Sequence, residues 1–436
     1  MSIAAYPKHE SFKPSGFSWI GDIPASWNVR RGKWLFKKMD RPVRPQDDIV
    51  TCFRDGVVTL RANRRTEGFT NALKEHGYQG IRKDDLVIHA MDAFAGAVGV
   101  SDSNGKSTPV YSACVPRVDG TVNPHFYAYY MRHIALSGLL IAMAKGIRER
   151  STDFRFNDFA DLALAAPPVE EQTAIVAFLD NKCAKIDEAV RIKEEQIKLL
   201  RERRQILIQQ AVTRGLNPDA PMKDSGIDWI GEIPAHWEVK RFTKEIDVQE
   251  GPGIMAVDFH DSGVPLIRIS GVRSRRVTLD GCNYLSPVKV RRKWDHFKLS
   301  EGDLVISGSA STGFVSEVGS EAVGAILYTG LMKLRIRRGT IEKRYLEHFL
   351  ASDIFAVQVE LLKAGSTIAH YGPSHLGRMF VILPPLDEQN EISAYCDDQY
   401  ERIGDTVAIK ESQIAALKEY KTTLINAAVT GKIKVS

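Results

Sequence analysis

The sequence predicts an α/β (α+β) chain: two globular domains of one fold, joined by two long helices that form an antiparallel coiled coil, the whole arranged as a pseudo-two-fold internal repeat. Three observations carry this expectation. Lys13-Pro14-Ser15-Gly16-Phe17-Ser18-Trp19-Ile20-Gly21-Asp22-Ile23-Pro24-Ala25-Ser26-Trp27 recurs as Lys223-Asp224-Ser225-Gly226-Ile227-Asp228-Trp229-Ile230-Gly231-Glu232-Ile233-Pro234-Ala235-His236-Trp237. Pro167-Pro168-Val169-Glu170-Glu171-Gln172 returns as Pro384-Pro385-Leu386-Asp387-Glu388-Gln389. After each hexapeptide runs the same heptad pattern of apolar residues. A chain of 436 residues is too long for one core, and a duplicated unit meets its ligands and partners twice.

In chain order the expected parts are a framework segment over 1–27, a globular domain over 28–166, a long helix over 167–215, the repeated framework over 216–237, a second globular domain over 238–383 and a C-terminal long helix over 384–436. Each framework segment combines large apolar Trp anchors with a Gly and a Pro that fix a turn. Packing against the helices is the preferred reading, and contact with a partner protein the alternative. Within the globular stretches, 85–90, 110–118, 265–270, 303–307 and 331–337 have strand-like β-branched content. Residues 124–144 and 343–363 read as amphipathic helices. The first landmark repeats at an offset of 210 residues and the second at 217, with little identity between them. A shared frame around unlike interiors suits two modules that face different targets. Sheet order is left open by the sequence.

The long helices are read from their periodicity. Ile186, Val190, Lys193, Ile197, Leu200, Arg204, Leu207 and Ala211 step alternately by four and three, and so do Ile403, Val407, Lys410, Ile414, Leu417, Lys421, Leu424 and Ala428. These steps lay an apolar seam along one helix face, as coiled-coil pairing requires. A two-fold relation makes the pairing antiparallel. Both seams place cations at the same two positions; buried cations cost stability but fix register. The double prolines disfavour helix upstream, and acidic residues follow in the first turn. Gly215 and Gly431 stand where a left-handed C-cap is wanted.

Composition narrows the function classes. Hydrophobic residues make up 44% and charged residues 26%, as in ordinary soluble globular proteins. No apolar run approaches the roughly 18 residues of a membrane span, and the N-terminus lacks a secretion signal. A cytoplasmic protein with no membrane partner is expected. The five cysteines are scattered with no C-x-x-C pair, which argues against a zinc site or a disulfide framework. Each reads as a buried small hydrophobe. The net charge of +5 is unevenly divided: residues 169–213 sum to zero and residues 386–430 to −5, leaving +10 elsewhere. Positive charge is thus concentrated outside the helices, where a polyanion could be met.

Motifs for chemistry are absent. Gly105-Lys106-Ser107-Thr108 ends like a phosphate loop but lacks its leading glycine, and Phe94-Ala95-Gly96-Ala97-Val98-Gly99 imitates a methyl-donor loop without the tetrapeptide that would hold a target amino group. Both read as turns. No catalytic residue and no metal ligand is assigned. The candidate DNA contacts are basic clusters and polar, glycine-bearing loops. In the first domain they are Arg61, Asn63, Arg64 and Arg65, then His89 and Asp92, then Arg148 and Arg150 beside Lys145. In the second they are Arg268, Ser270, Arg273 and Arg275, then Ser307, Ser309, Ser311 and Thr312, then Ser366, Thr367 and Tyr371. Arg276 and the run Arg291, Arg292, Lys293 add charge there. Arginine forks match guanine O6 and N7 or clamp phosphates, Asn pairs with adenine, and glycines let backbone approach a phosphate. The bland alternative for any one of them is a solvated surface side chain.

Assembled, the doubled Lys-x-Ser-Gly-x-x-Trp-Ile-Gly-x-Ile-Pro-Ala-x-Trp entry, the Pro-Pro-x-acidic-Glu-Gln boundary and the helix endings at 196–213 and 413–430 closely resemble the specificity subunit of a type I restriction-modification system. The resemblance covers essentially the whole chain. It implies two target-recognition domains, over 28–166 and 238–383, each reading one half of a split double-stranded DNA target. It implies that the helices act as spacer and docking surface for two modification subunits, which carry S-adenosylmethionine and methylate adenine N6. Two restriction subunits using ATP and Mg would complete the complex, and this chain itself would bind no cofactor and catalyse nothing. The alternatives are a DNA-binding scaffold that recruits no methyltransferase, and an enzyme in its own right.

Overall fold

The computed structural model describes residues 3–64, 67, 75–143, 153–308, 315–337, 339–363 and 371–435. The chain divides into two units, Met1–Lys193 with Glu411–Ser436, and Glu194–Lys410. Four helices organise them: α1 (Pro124–Leu136), α2 (Val169–Arg214), α3 (Lys343–Leu350) and α4 (Leu386–Val429). Among the described residues no helix is long and apolar enough to cross a membrane.

In the first unit, Phe12–Pro14 pairs with Asp22–Pro24 as a hairpin, and Asn28–Arg31 pairs antiparallel with Ala163–Ala166. A four-stranded antiparallel sheet follows in the order Phe36–Lys38, Tyr111–Pro116, Leu86–His89, Val98–Val100. Helix α1 starts where Pro124 occupies the first turn and the Asn123 side chain accepts a bond from the His125 N–H. Its Phe126, Tyr127, Tyr130, Met131 and Ile134 share one core with Leu86, Ile88, Val98 and Cys114 of the sheet. Tyr127 Oη donates to the Ala165 carbonyl at 3.3 Å, so the helix is also tied to the last strand.

The second unit repeats the order with different residues. Met222–Asp224 pairs with Glu232–Pro234, and Glu238–Arg241 with Phe380–Leu383. Its four-stranded antiparallel sheet runs Ile246–Glu250, Leu331–Ile336, Leu304–Ser307, Val315–Glu317. Tyr345 of α3 donates to the Ile382 carbonyl at 2.9 Å, in the role of Tyr127. A mixed three-stranded sheet of Asn283–Leu285, Val264–Ile267 and Ile326–Leu327 is added here, over its own cluster of Ile254, Leu266, Leu285, Val290 and Ile326.

Two expected helices are broken in two. The 124–144 run stops at Leu136, turns at Gly138 (φ +85°) and resumes at Leu139–Met143. The 343–363 run stops at Leu350 and resumes at Asp353–Lys363. The phosphate-loop imitation is a strand, Gly105–Ser107, with Lys106 paired to Glu75 at 2.7 Å. Of the cysteines, Cys52, Cys114, Cys183 and Cys396 are buried, whereas Cys282 is only half-buried.

Seam residues Ile186, Val190, Ile197, Ala211, Ile403, Ile414, Leu424 and Ala428 are buried, and Leu200, Leu207, Val407 and Leu417 are half-buried. The long helices run antiparallel within each unit. In the first, Asp187 faces Lys421 at 2.7 Å and Lys193 donates to Gln413 at 2.6 Å. In the second, Lys410 donates to Gln196 at 2.8 Å and the Arg204 guanidinium lies 4.1 Å from the Tyr400 ring centre. The seam cations are therefore half-buried rather than buried. The three lysine heads reach polar partners on the other helix and Arg204 reaches the Tyr400 ring, which lowers the desolvation cost.

The repeated motifs are packing devices. Trp27 and Trp237 are wholly buried, whereas Trp19 is 43% exposed. Each buried indole lies beside the glycine that ends a long helix. A Cβ on Gly215 (φ +74°) would stand 3.1 Å from Trp237, and one on Gly431 (φ +72°) 3.2 Å from Trp27 and 2.5 Å from Pro24. Both the left-handed backbone and the close approach require glycine. Glu388 accepts from Trp237 Nε1 and from His236 Nε2, each at 2.6 Å. Gln172 and Gln389, the last residues of the hexapeptides, are almost fully buried. Gln172 accepts from the Asn123 N–H and donates to the Pro167 carbonyl, both at 2.8 Å. Gln389 accepts from the Glu342 N–H at 2.7 Å and donates to the carbonyls of Pro384 at 2.8 Å and Thr340 at 2.9 Å. Each amide thus latches the start of a long helix to the loop before α1 or α3. Gln389→Ala strands these buried groups and is expected to cost about 1–3 kcal/mol in urea denaturation of the second unit, with Gln172→Ala doing the same to the first.

A second latch joins α3 to α4. Arg344 bonds Asp397 through Nε at 3.1 Å and also meets Glu347, while His348 Nε2 lies 3.2 Å from Asp397. Burial, with the Arg344 charge beside it, holds the His348 imidazole below the ordinary histidine value. A histidine depressed in the folded state contributes stability that is full above its unfolded pKa of about 6.5 and is lost as pH falls below it. His348→Gln is expected to flatten, between pH 7 and 5, the loss of stability measured by urea unfolding. Some slope remains, because burial depresses His89 and His133 as well.

Candidate nucleic-acid interface

In the first unit the candidates are largely committed to internal partners. Arg61 Nε donates to Thr51 at 3.3 Å, and Asn63 Nδ2 to Thr59 at 2.8 Å. Arg64 pairs with Asp55 at 2.8 Å and lies 4.6 Å from the Phe53 ring centre. At the end of its strand, His89 is tilted against Tyr111 with 4.5 Å between ring centres, and its Nδ1 accepts the Asp92 N–H at 3.0 Å. Asp92 in turn holds Arg54 at 2.8 Å. Such pairs order the loops, but their charges are partly neutralised before any ligand arrives. Arg65, Arg148 and Arg150 lie outside the described residues.

The second unit offers more open charge. The Arg268 guanidinium stacks 3.9 Å from the Tyr328 ring centre and donates to Asn283 at 3.2 Å. Stacking leaves the rest of its fork in a fixed plane, the arrangement that edge recognition uses. Ser270 is turned to the Asp280 carbonyl at 2.6 Å. Arg273 and Arg275 are exposed, and Arg276 stands 3.8 Å from Glu317. Ser307 is buried at the end of its strand. Tyr371 is buried too, its N–H bonding the Gly308 carbonyl at 2.8 Å; burial pushes its phenol up to about 12, so it stays neutral. Neither presents its side chain on an outer face. Ser309, Ser311, Thr312, Ser366 and Thr367 lie outside the described residues. Among the described residues no cluster of His, Cys, Asp and Glu could hold a metal ion.

No family model matches the chain. Curated proteins do. The specificity subunit of the type I restriction enzyme MjaVIII from Methanocaldococcus jannaschii is 25% identical over 284 residues, 64% of this chain and 63% of that protein. A second protein of the same organism, described as the specificity subunit of its MjaX type I enzyme, is 22% identical over 99% of both chains. The chain is a relative of type I restriction specificity subunits.

The EcoKI specificity subunit of Escherichia coli K12 is a further such relative, 25% identical over 47% of this chain and 44% of its own length. Solved structures of type I proteins share the fold. A chain from a type I R-M system, solved for its complex assembly and conformational transition, superposes with a TM-score of 0.69 at 17% identity, covering 93% of this chain and 98% of that one. The HsdS subunit from Thermoanaerobacter tengcongensis does so at 0.53 and 18%, covering 94% and 98%. For a relative of specificity subunits, the residues that sequence reasoning passed over are Gln172, Gln389 and Glu388. Their signal was the doubled hexapeptide itself: both glutamines satisfy buried backbone groups, and Glu388 holds the Trp237 and His236 side chains.

Proposed function

We propose that this chain is the non-catalytic, DNA-reading subunit of a type I restriction-modification complex. Residues 28–166 read one half of a bipartite duplex target and residues 238–383 the other. The two long helices set the spacing between the halves and, with the framework segments, dock two modification subunits. Those subunits supply S-adenosylmethionine chemistry at adenine N6, and two restriction subunits supply cleavage driven by ATP and Mg, in the cytoplasm. One observation carries the reading: two sheet-and-helix units with the same strand order and unlike loops, in a chain that aligns with a type I specificity subunit over 99% of both. The physical support is that a reader built twice can contact two short sequences and ignore what lies between them.

The test is methylation-aware sequencing of a host carrying the chain and its neighbouring methyltransferase gene. A split motif with a modified adenine in each half is expected, and it disappears when the gene for this chain is deleted. A continuous motif, or methylation that survives the deletion, overturns the proposal.

A further inference from the structure

Around the second unit's sheets, many cations are spent on carboxylates: Lys289 on Asp258, Lys298 on Asp295 at 2.7 Å, Arg335 on Asp303 at 2.8 Å, and Lys343 on Glu317 at 2.5 Å. Arg291, Arg292 and Lys293 differ. All three are exposed, and none makes an ion pair among the described residues. They follow one another on a π-helical turn, Val290–Trp294, a rare geometry that is frequent at functional sites. The turn is anchored. Val290 is 1% exposed within the cluster of Ile254, Leu266, Leu285 and Ile326, and Trp294 packs against the same cluster. Lys289 braces it, with Nζ 5.3 Å from the Trp294 ring centre.

Three adjacent like charges on an anchored turn repel one another; Asp295 offsets part of that cost at Arg291 but is itself paired with Lys298. A polyanion offsets the rest, by exchanging its condensed counterions for the fixed cations. An arginine fork can meet a guanine edge or a phosphate, but three consecutive exposed cations that fan out from one turn, a lysine among them, suit the repeating phosphate oxygens of a backbone. Phe259 and Tyr328, which flank Arg268, pack on the same small cluster. The matching part of the first unit has no such turn among its described residues, and its Arg41 and Arg82 are paired with Asp85 and Asp47. Resting on the DNA-reading function proposed above, we propose that Arg291, Arg292 and Lys293 form a phosphate clamp that anchors the second half-site, beside the stacked Arg268.

The test measures binding of the full chain to a fluorescent duplex carrying its methylation motif, and to a scrambled duplex, across a NaCl series. Replacing all three residues by Gln is expected to make the slope of log K against log salt shallower by about 2.7, at roughly 0.9 per phosphate contact, equally on both duplexes. R291K/R292K keeps the wild-type slope. R268Q instead narrows the gap between target and scrambled duplex at nearly constant slope. If the triple variant does not fold, K293Q alone is expected to lower the slope by about 0.9. A wild-type slope in the neutralised variants, or a loss confined to the target duplex, overturns the clamp while leaving DNA reading intact. Failure of the wild-type chain to bind either duplex overturns DNA reading itself.

Discussion

Trp237→Ala is expected to remove about 3–5 kcal/mol from the second unit, more than the loss of the buried Gln389 amide. Whole domains are stable by only about 5–15 kcal/mol, so this one change should leave the unit largely unfolded at moderate urea. The indole is wholly buried, and its loss acts three times over. It empties the space against Gly215, where the end of α2 is capped. It removes the Nε1 donor from Glu388, at the start of α4. It also withdraws a large apolar side chain from the core that contains Phe242, Tyr345 and Ile392. Trp27→Ala should injure the first unit through lost packing alone, on Gly431 and Pro24, because the Trp27 Nε1 has no hydrogen-bond partner among the described residues. The contrast that makes the argument testable is Trp19, which belongs to the same repeated motif yet is 43% exposed. Trp19→Ala should cost less than about 1 kcal/mol, as surface substitutions do. Urea denaturation followed by limited proteolysis would locate each loss, and equal effects for Trp19 and Trp237 would remove the packing account of the motif.

That contrast also marks what can be read from residues alone. Heptad steps, terminal glycines and doubled motifs are local or repeated signals, so the long helices and their antiparallel seam are legible in the chain itself. The break at Gly138 is not, because apolar periodicity continues through Leu139, Leu140 and Ile141, and one helical glycine costs only about 1 kcal/mol. Tertiary packing decides such a case. The same limit applies to the candidate interface. Arg64 reads as free charge until Asp55 is seen beside it, and Ser307 reads as part of a polar loop until it proves to be a buried strand end. Gln389 has the opposite history: a residue type usually solvated, here fully enclosed because two carbonyls and an N–H converge on it. Long-range pairing is what the sequence conceals, and it separates charge available to a ligand from charge already used.

Inserting one heptad into both long helices, after Glu194 and after Glu411, is expected to lengthen the spacer of the DNA target by about three base pairs and leave both half-site sequences unchanged. Seven residues add about 10.5 Å of helix, and B-DNA advances about 34 Å per turn of ten base pairs. The insertion points fall between Lys193 and Gln196 on α2 and between Lys410 and Gln413 on α4, so both polar cross-links keep their partners. A heptad also keeps the seam in phase, which a four-residue insertion would not. Rotation adds a second, sharper consequence. Three base pairs turn a half-site by about a third of a revolution, so a single heptad should weaken binding even to the lengthened target. Three heptads, about 31 Å, add nearly one full DNA turn and restore the original face, so affinity should recover on a target lengthened by about nine base pairs. Inserting a heptad into α2 alone offsets Lys193 from Gln413 or Lys410 from Gln196, and should destabilise the pair instead of resizing the target. Methylation-aware sequencing of strains carrying each insertion reads spacing and half-sites together. A changed half-site at constant spacing, or constant spacing with three heptads, would separate the helices from any role in measuring the target.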